Sequence, residues 1–205
     1  MGATHRARQA ATVAAVLAAG LPMALACGSA VAADADAARE KAQLCAVCHG
    51  PEGNSTNPAV PSLAGQPAQF IATQLFQFRE GNRKDPQMTP LAAGLSNADM
   101  NALAAYFSRQ KPAAPARASD PAAVAAAQRL TEQYHCVQCH GAALAGQQHI
   151  PRLSGQQRDY LRAQLIGFKA GTRADMDGNM TSAAQALSEK DIELLADYLS
   201  GLDRP

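Results

Sequence analysis

The chain has 205 residues, with 18 Lys and Arg against 17 Asp and Glu and a formal net charge of +1. That length holds one or two domains, and so even a balance offers no clustered cationic face of the kind nucleic acid requires. At 17% charged and 47% apolar residues the chain is not a disordered one, yet four Tyr, five Phe and no Trp are thin aromatic content for a core.

The first element is an address. His5, Arg6 and Arg8 precede an uncharged run from Ala10 to Ala26, and small residues at Ala30 to Ala33 offer a cleavage position before acidic sequence begins at Asp34. This pattern predicts a cleaved secretory signal peptide over residues 1–33 and a periplasmic location. Gly20 and Pro22 interrupt the run, which argues against a retained membrane anchor. Cys27, within Leu25-Ala26-Cys27-Gly28, leaves a lipid-anchored form open, although Ala24 stands where such signals prefer Leu. No later segment is long and apolar enough to cross a bilayer.

Residues 35–44 read as a weak helix running into Cys45-Ala46-Val47-Cys48-His49. The same pattern returns at Cys136-Val137-Gln138-Cys139-His140. Each is C-x-x-C-H, the attachment sequence of a c-type haem. Two thiols three positions apart add to the two vinyl groups on one porphyrin edge, and the following His supplies an imidazole nitrogen to the iron. A redox dithiol belongs in a strand–helix unit, and neither site has one. Zinc pairs normally lie about 15–20 residues apart, far closer than Cys45 and Cys136. Structural disulfides, also available outside the cytoplasm, leave the paired His unexplained. The expected cofactors are two covalently bound haem c groups, on Cys45 and Cys48 and on Cys136 and Cys139.

The rest of the chain is an internal duplication with an offset of 90 to 92 positions. Val60-Pro61-Ser62-Leu63-Ala64-Gly65-Gln66 recurs as Ile150-Pro151-Arg152-Leu153-Ser154-Gly155-Gln156. A middle helix follows, carrying Ile71, Leu75 and Phe78 on one face and stopping at Gly81; its copy carries Leu161, Leu165 and Phe168 and stops at Gly171. The last helix of each half opens on a capping box, with Ser96 and Asp99 in the first and Ser188 and Asp191 in the second. Leu95 can staple to Met100, and Leu187 to Ile192. A Pro/Ala stretch over 111–120 reads as an extended linker. Asp120 then caps a helix that begins at Pro121 and carries Ala123, Ala127, Leu130 and Tyr134 on one face. No run alternates with strand period, so the expected fold is all-α, with a 34–110 domain and a 121–205 domain. Halves of about 80 residues with so few aromatics are small for an apolar core, and a covalent haem at the centre of each would supply the missing buried surface.

A haem iron with His on one face needs a second ligand or stays open. Met88 follows His49 by 39 residues and Met180 follows His140 by 40; both precede the Leu-Ser cap by seven. Met176 breaks that register, and Met100 sits inside a helix and reads as core. The first iron is therefore assigned to His49 and Met88, and the second to His140 and Met180. Thioether sulfur favours Fe(II) and raises the potential. Two filled axial positions leave no site for peroxide chemistry, so the expectation is an electron-transfer protein with no catalytic residues. His135 and His149 face solvent or cap turns. Arg79, Arg83, Lys84 and Arg173 are candidates to pair haem propionates, with a solvated helix end as the equal alternative.

These residues resemble the dihaem cytochrome c4 family, two fused class I cytochrome c domains. The resemblance spans roughly 34–205. It rests on the paired C-x-x-C-H, the Leu-Ala/Ser-Gly-Gln elements, Met-Thr-Pro at Met88 and the Leu-Ser…Asp…Leu-Ala…Tyr helices. It implies two haem domains related by approximate two-fold symmetry with propionate edges facing. It implies a periplasmic, sometimes membrane-associated carrier between a quinol–cytochrome c reductase or other donor and a terminal oxidase or other acceptor. Cytochrome subunits of periplasmic dehydrogenases, such as a sulfide-oxidising flavocytochrome, resemble the chain as well. Ser182 stands where the first half has Pro90, and two extra residues precede Met180; both bear on the rigidity of the second axial loop.

Overall fold

Helix ends in this protein are set by side chains that satisfy the first orphan N–H groups and by glycines that stop the last turn. The computed structural model describes residues 27–115 and 121–203. The first half contains α1 (Cys27–His49), α2 (Ala68–Arg79), α3 (Met88–Ala93) and α4 (Asn97–Ser108). The second contains α5 (Pro121–Gln133), α6 (Cys136–His140), α7 (Arg158–Lys169), α8 (Asn179–Gln185) and α9 (Glu189–Gly201). A 3-10 turn follows each motif His, at Pro51–Gly53 and Ala142–Leu144. Among the described residues there is no strand, only an isolated bridge between Gln147 and Ile150. The expected leader as far as residue 26, the cap at Asp120 and the linker over 116–120 lie outside the described residues.

Both capping boxes form. Ser96 Oγ accepts from Asp99 N at 3.1 Å and Asp99 Oδ2 accepts from Ser96 N at 3.1 Å; Ser188 and Asp191 do the same at 3.1 and 2.9 Å. The middle helices α2 and α7 stop at Gly81 and Gly171 in left-handed backbone, φ 72° and 70°. The first core gathers Ala42, Ile71, Leu103, Ala104 and Phe107, and the second gathers Leu144, Leu161, Ile192, Leu195 and Leu199 with their neighbours.

The two halves differ where residues were gained or lost. In the first, α1 is continuous through the Cys motif and is longer than the sequence alone suggests. Its buried positions Ala38 and Ala42 lie seven and three residues before Cys45. In the second, buried Ala127 and Thr131 lie nine and five residues before Cys136, and the helix breaks at His135 in left-handed backbone, φ 54°. The break absorbs two residues and returns Cys136 to its place.

A size exchange also separates the cores. Gly65 N donates to Phe107 O and Gly155 N to Leu199 O, so Phe107 and Leu199 are equivalent. Leu63 N donates to Gly53 O and Leu153 N to Leu144 O, which pairs Gly53 with Leu144. At Gly53, φ +78°, a Cβ would lie 2.8 Å from Phe107 Cδ1. In the second half Leu144 fills that space, at φ 56° and 3% exposed, beside the smaller Leu199. Gly53 with Phe107 in one half stands where Leu144 with Leu199 stands in the other, so the aromatic ring and a side chain at the glycine position do not occur together. We expect Gly53→Leu alone to cost about 2–3 kcal/mol through overpacking and positive φ, and Phe107→Leu alone about 1 kcal/mol. The double variant should cost at least about 1 kcal/mol less than the sum, as measured by denaturant unfolding in a double-mutant cycle. Additive costs would mean that the two positions do not share one space.

Lys41 donates to Asp99 and ties α1 to α4. The Lys41 and Ser96 hydrogen bonds hold the Asp99 carboxyl down to about 2. Its stabilising effect is present above the ordinary Asp value, about 3.9 in an unfolded chain, and is lost as pH falls through about 2. Asp99→Asn should therefore lower Tm at pH 7 and make progressively less difference as the pH approaches 2, followed by thermal melts across that range.

Candidate functional site

Each motif histidine closes a helix and turns inward. His49 ends α1 at 7% exposed, and His140 ends α6 at 5%. His49 Nδ1 lies 2.8 Å from Pro61 O, and His140 Nδ1 lies 2.9 Å from Pro151 O. A carbonyl only accepts, so Nδ1 carries the proton and Nε2 keeps its lone pair. Burial pushes both imidazoles towards the neutral form, opposed in part by the carbonyl bond and, for His49, by the charge of Asp85. The four motif thiols are free of disulfides. Cys45 and Cys136 are half-buried, and burial pushes both thiols up; Cys48 and Cys139 are exposed.

Met88 is the first residue of α3 and Met180 the second of α8, both half-buried. One carboxylate anchors each. Asp85 Oδ1 accepts from Met88 N at 2.8 Å, and Asp175 Oδ2 accepts from Met180 N at 2.8 Å. Asp175 Oδ1 also accepts from Thr181 N and Oγ1. The two extra residues of the second half therefore lie between Asp175 and Met180, where Gly178 takes left-handed backbone, φ 72°. Ser182 N donates to Gly178 O at 2.9 Å, a bond that Pro90 has no N–H to make. The longer loop is thus re-tied by three bonds to one Asp. Met176, the competing thioether, is 74% exposed, while Met100 is 4% exposed in the core of α4. His135 and His149 are exposed.

The basic candidates divide. Arg79 ties α2 to the start of α4, donating to Leu95 O and Asn97 Oδ1, and Lys84 is exposed. Arg83 and Arg173 meet at the seam between the halves. Arg83 donates to Gln74 at 2.6 Å and across the seam to Gln164 at 3.0 Å; Arg173 donates to Gln164 at 2.5 Å and across to Gln74 at 3.4 Å. Each guanidinium stacks on its own Phe, 4.5 Å above Phe78 and 4.4 Å above Phe168. Burial, and the like charge of Arg83, work against the charged form of Arg173. No salt bridge reaches either group among the described residues, and Arg173 Nε is buried without a hydrogen-bond partner. Tyr160 hydroxyl accepts from Arg83 at 3.3 Å, where the repeat partner is Phe70. Burial pushes that phenol up, but the two guanidinium charges outweigh it and pull it below its ordinary value.

The seam holds a second reciprocal set that repeat reading alone missed. Gln156 Oε1 accepts from Ser62 N at 2.7 Å and its Nε2 donates to Ser62 O at 2.8 Å. Gln66 Oε1 accepts from Arg152 N at 2.9 Å and its Nε2 donates to Arg152 O at 2.9 Å. The Gly-Gln ending of each repeat was visible; the partner, in the other half, was not.

These features fit c-type haem. Neutral, buried imidazoles present Nε2, paired thiols stand free beside them, and two like-charged guanidinium groups at the seam call for anions such as propionates. The cytochrome c family pattern matches the chain twice, over residues 35–111 and 124–203. The chain is 38% identical to cytochrome c4 of Pseudomonas aeruginosa over 186 residues, covering 83% of this chain and 90% of that one. The chain belongs to the dihaem cytochrome c4 family. Its fold matches the crystal structure of reduced recombinant cytochrome c4 from Pseudomonas stutzeri with a TM-score of 0.76 at 34% identity, over 82% of this chain and 98% of that one. It is also 36% identical to a thiosulfate dehydrogenase electron acceptor of Thiomonas intermedia, covering 80% of this chain and 81% of that one. Membership brings two covalently bound haem c groups and a role in electron transport.

Tyr160→Phe matches this position to Phe70 and removes an acceptor from a partly buried guanidinium. It should cost about 1–2 kcal/mol of stability by denaturant unfolding. An unchanged midpoint would mean that the hydroxyl carries no part of the Arg83 interaction.

Proposed function

We propose that the chain is a periplasmic carrier whose two irons are held by His49 with Met88 and by His140 with Met180. Cys45 and Cys48, and Cys136 and Cys139, would fix the two porphyrins through thioether bonds. The domains would span 34–110 and 121–205, joined by 111–120, after removal of residues 1–33. The observation that carries this reading is the occupied Nδ1 of each buried histidine, 2.8 and 2.9 Å from a proline carbonyl, which leaves one lone pair in each half aimed away from the backbone. Bound haem supplies a one-electron Fe(III)/Fe(II) couple.

The chain's residues do the rest. Each histidine holds its ring by the carbonyl bond, so the lone pair stays in place through a change of charge. Asp85 and Asp175 hold the backbone beside each methionine. The thioethers of Met88 and Met180 would hold the iron on the side away from the histidine, where soft sulfur would favour the reduced state and leave no place for oxygen or peroxide. Arg83 and Arg173 would draw propionates of both groups to one seam and bring the two redox centres together.

In the leading reading electrons arrive from a quinol–cytochrome c reductase and leave to a terminal oxidase. A second reading is the electron-accepting partner of a periplasmic dehydrogenase. The relative named as a thiosulfate dehydrogenase electron acceptor favours it. Rapid-mixing reduction separates the two: fast reduction by the quinol-oxidising complex supports the first, and fast reduction only by a thiosulfate-oxidising enzyme supports the second.

Protein matured with its haems should carry two per chain and, when oxidised, show the weak near-infrared band of sulfur-to-iron(III) ligation. Met180→His should keep the second haem six-coordinate and lower its potential by an amount on the order of 0.1 V, within the span that axial ligands control. An unchanged redox titration removes Met180 from the ligand set.

A further inference from the structure

The reciprocal glutamines grip a particular peptide. Ser62 N–H and Pro61 C=O belong to one planar amide group. Its oxygen accepts from His49 Nδ1 at 2.8 Å, and its N–H donates to Gln156 Oε1 of the other half at 2.7 Å. The Pro151–Arg152 peptide repeats the arrangement: its oxygen faces His140 Nδ1 at 2.9 Å, and its N–H donates to Gln66 Oε1 at 2.9 Å. The glutamine amides have one usable orientation, because each meets a backbone N–H with one end and a backbone carbonyl with the other. Gln66 is 2% exposed and Gln156 is 4% exposed, so water does not compete for these bonds.

We propose that Gln66 and Gln156 set the reduction potential of the haem in the opposite domain, each through the peptide that accepts the axial histidine's Nδ1 proton. This rests on the assignment of His49 and His140 as ligands. An amide whose N–H is accepted by another group carries more negative charge on its oxygen, a strengthening of perhaps 10–30% per bond in a hydrogen-bonded chain. The stronger acceptor pulls the Nδ1 proton and gives the ring more imidazolate character. Such a ring donates better to Fe(III) than to Fe(II), so the potential falls. Gln156 lowers the potential of the N-terminal haem, and Gln66 that of the C-terminal haem. The two are positioning residues: their cross-seam bonds go to backbone rather than to His49 or His140, and each acts through a peptide of the other half.

Full-length protein with both haems attached tests this by spectroelectrochemical titration, with Met180→His as a background that moves the C-terminal wave aside for assignment. Gln156→Leu should raise the N-terminal haem's midpoint by about threefold in the reduction equilibrium, roughly 30 mV at 59 mV per tenfold, and leave the other wave in place. Gln66→Leu should do the converse. Gln156→Glu keeps an acceptor for Ser62 N–H and should move the N-terminal wave down; it also serves if the Leu variant does not fold. Loosening of the seam alone would admit water, favour the charged ferric state and lower both midpoints. A shift of both haems together, a shift in the glutamine's own domain, a downward shift on Gln→Leu, or none at all overturns the proposal. The near-infrared band and haem count of the same samples report ligation separately. If they are present without the crossed shift, the tuning fails and the ligand assignment stands; if they are absent, the ligand assignment fails first.

Discussion

An imidazole can offer a metal one fixed lone pair only when its other nitrogen is held, and both halves of this chain are arranged around that requirement. Pro61 and Pro151 place a carbonyl against the Nδ1 of a histidine that ends a helix. The position follows from the chain. A 3-10 turn after each histidine reverses direction, and the Pro-x-Leu-x-Gly-Gln element returns beneath the ring, pinned to Gly53 O in one half and Leu144 O in the other. The same element then joins the last helix, through Gly65 N to Phe107 O and Gly155 N to Leu199 O. One short stretch of irregular backbone thus connects the motif helix, the terminal helix and the seam.

The duplication makes the seam close to isologous: a residue in one half meets its counterpart's neighbour, and the converse holds. Gln66 binds the backbone of Arg152, 86 positions on, and Gln156 binds that of Ser62, 94 positions back. Arg83 and Arg173 share Gln74 and Gln164 by the same rule. Such pairing doubles any favourable contact, and it doubles any conflict as well. Two partly buried like charges meet at the seam, an arrangement that anionic propionates from each half would relieve.

Much of this was legible beforehand because it is local. Ser96 with Asp99, and Ser188 with Asp191, are capping boxes whose partners lie three residues apart. The haem motifs are counts along one chain, and so is the register of Met88 and Met180 on which the proposed ligand set rests. What was not legible depends on residues far apart in sequence. Leu144 in left-handed backbone has no local signal, since its reason is Phe107 becoming Leu199. The split of α5 from α6 at His135 reflects two extra residues that only the burial of Ala127 and Thr131 reveals. Arg79 looked like Arg83 as a helix-end cation, but it is spent on Leu95 O and Asn97. The seam glutamines looked like repeat spacing until the second half supplied their partners.

Near-symmetry also makes each departure from it informative. A duplicated pair of carriers with identical surroundings would place its two irons at equal potential, with no preferred direction between them. Here the seam is unequal in at least three places. Tyr160 adds a hydroxyl to Arg83 where Phe70 adds none. Arg152 buries a guanidinium, donating to Ala64 O across the seam, where Ser62 has only a hydroxyl. Tyr160 N reaches Pro58 O in the loop after His49, which is one residue longer than its copy. Two of these three put extra polarity or charge from the second half against the first, and the third gives the first half a backbone hold on α7. Fields from fixed charges act on an iron couple over several ångströms in a medium less polar than water. Unequal residues at one shared seam are therefore enough to separate two otherwise matched centres, with no change in the ligands of either.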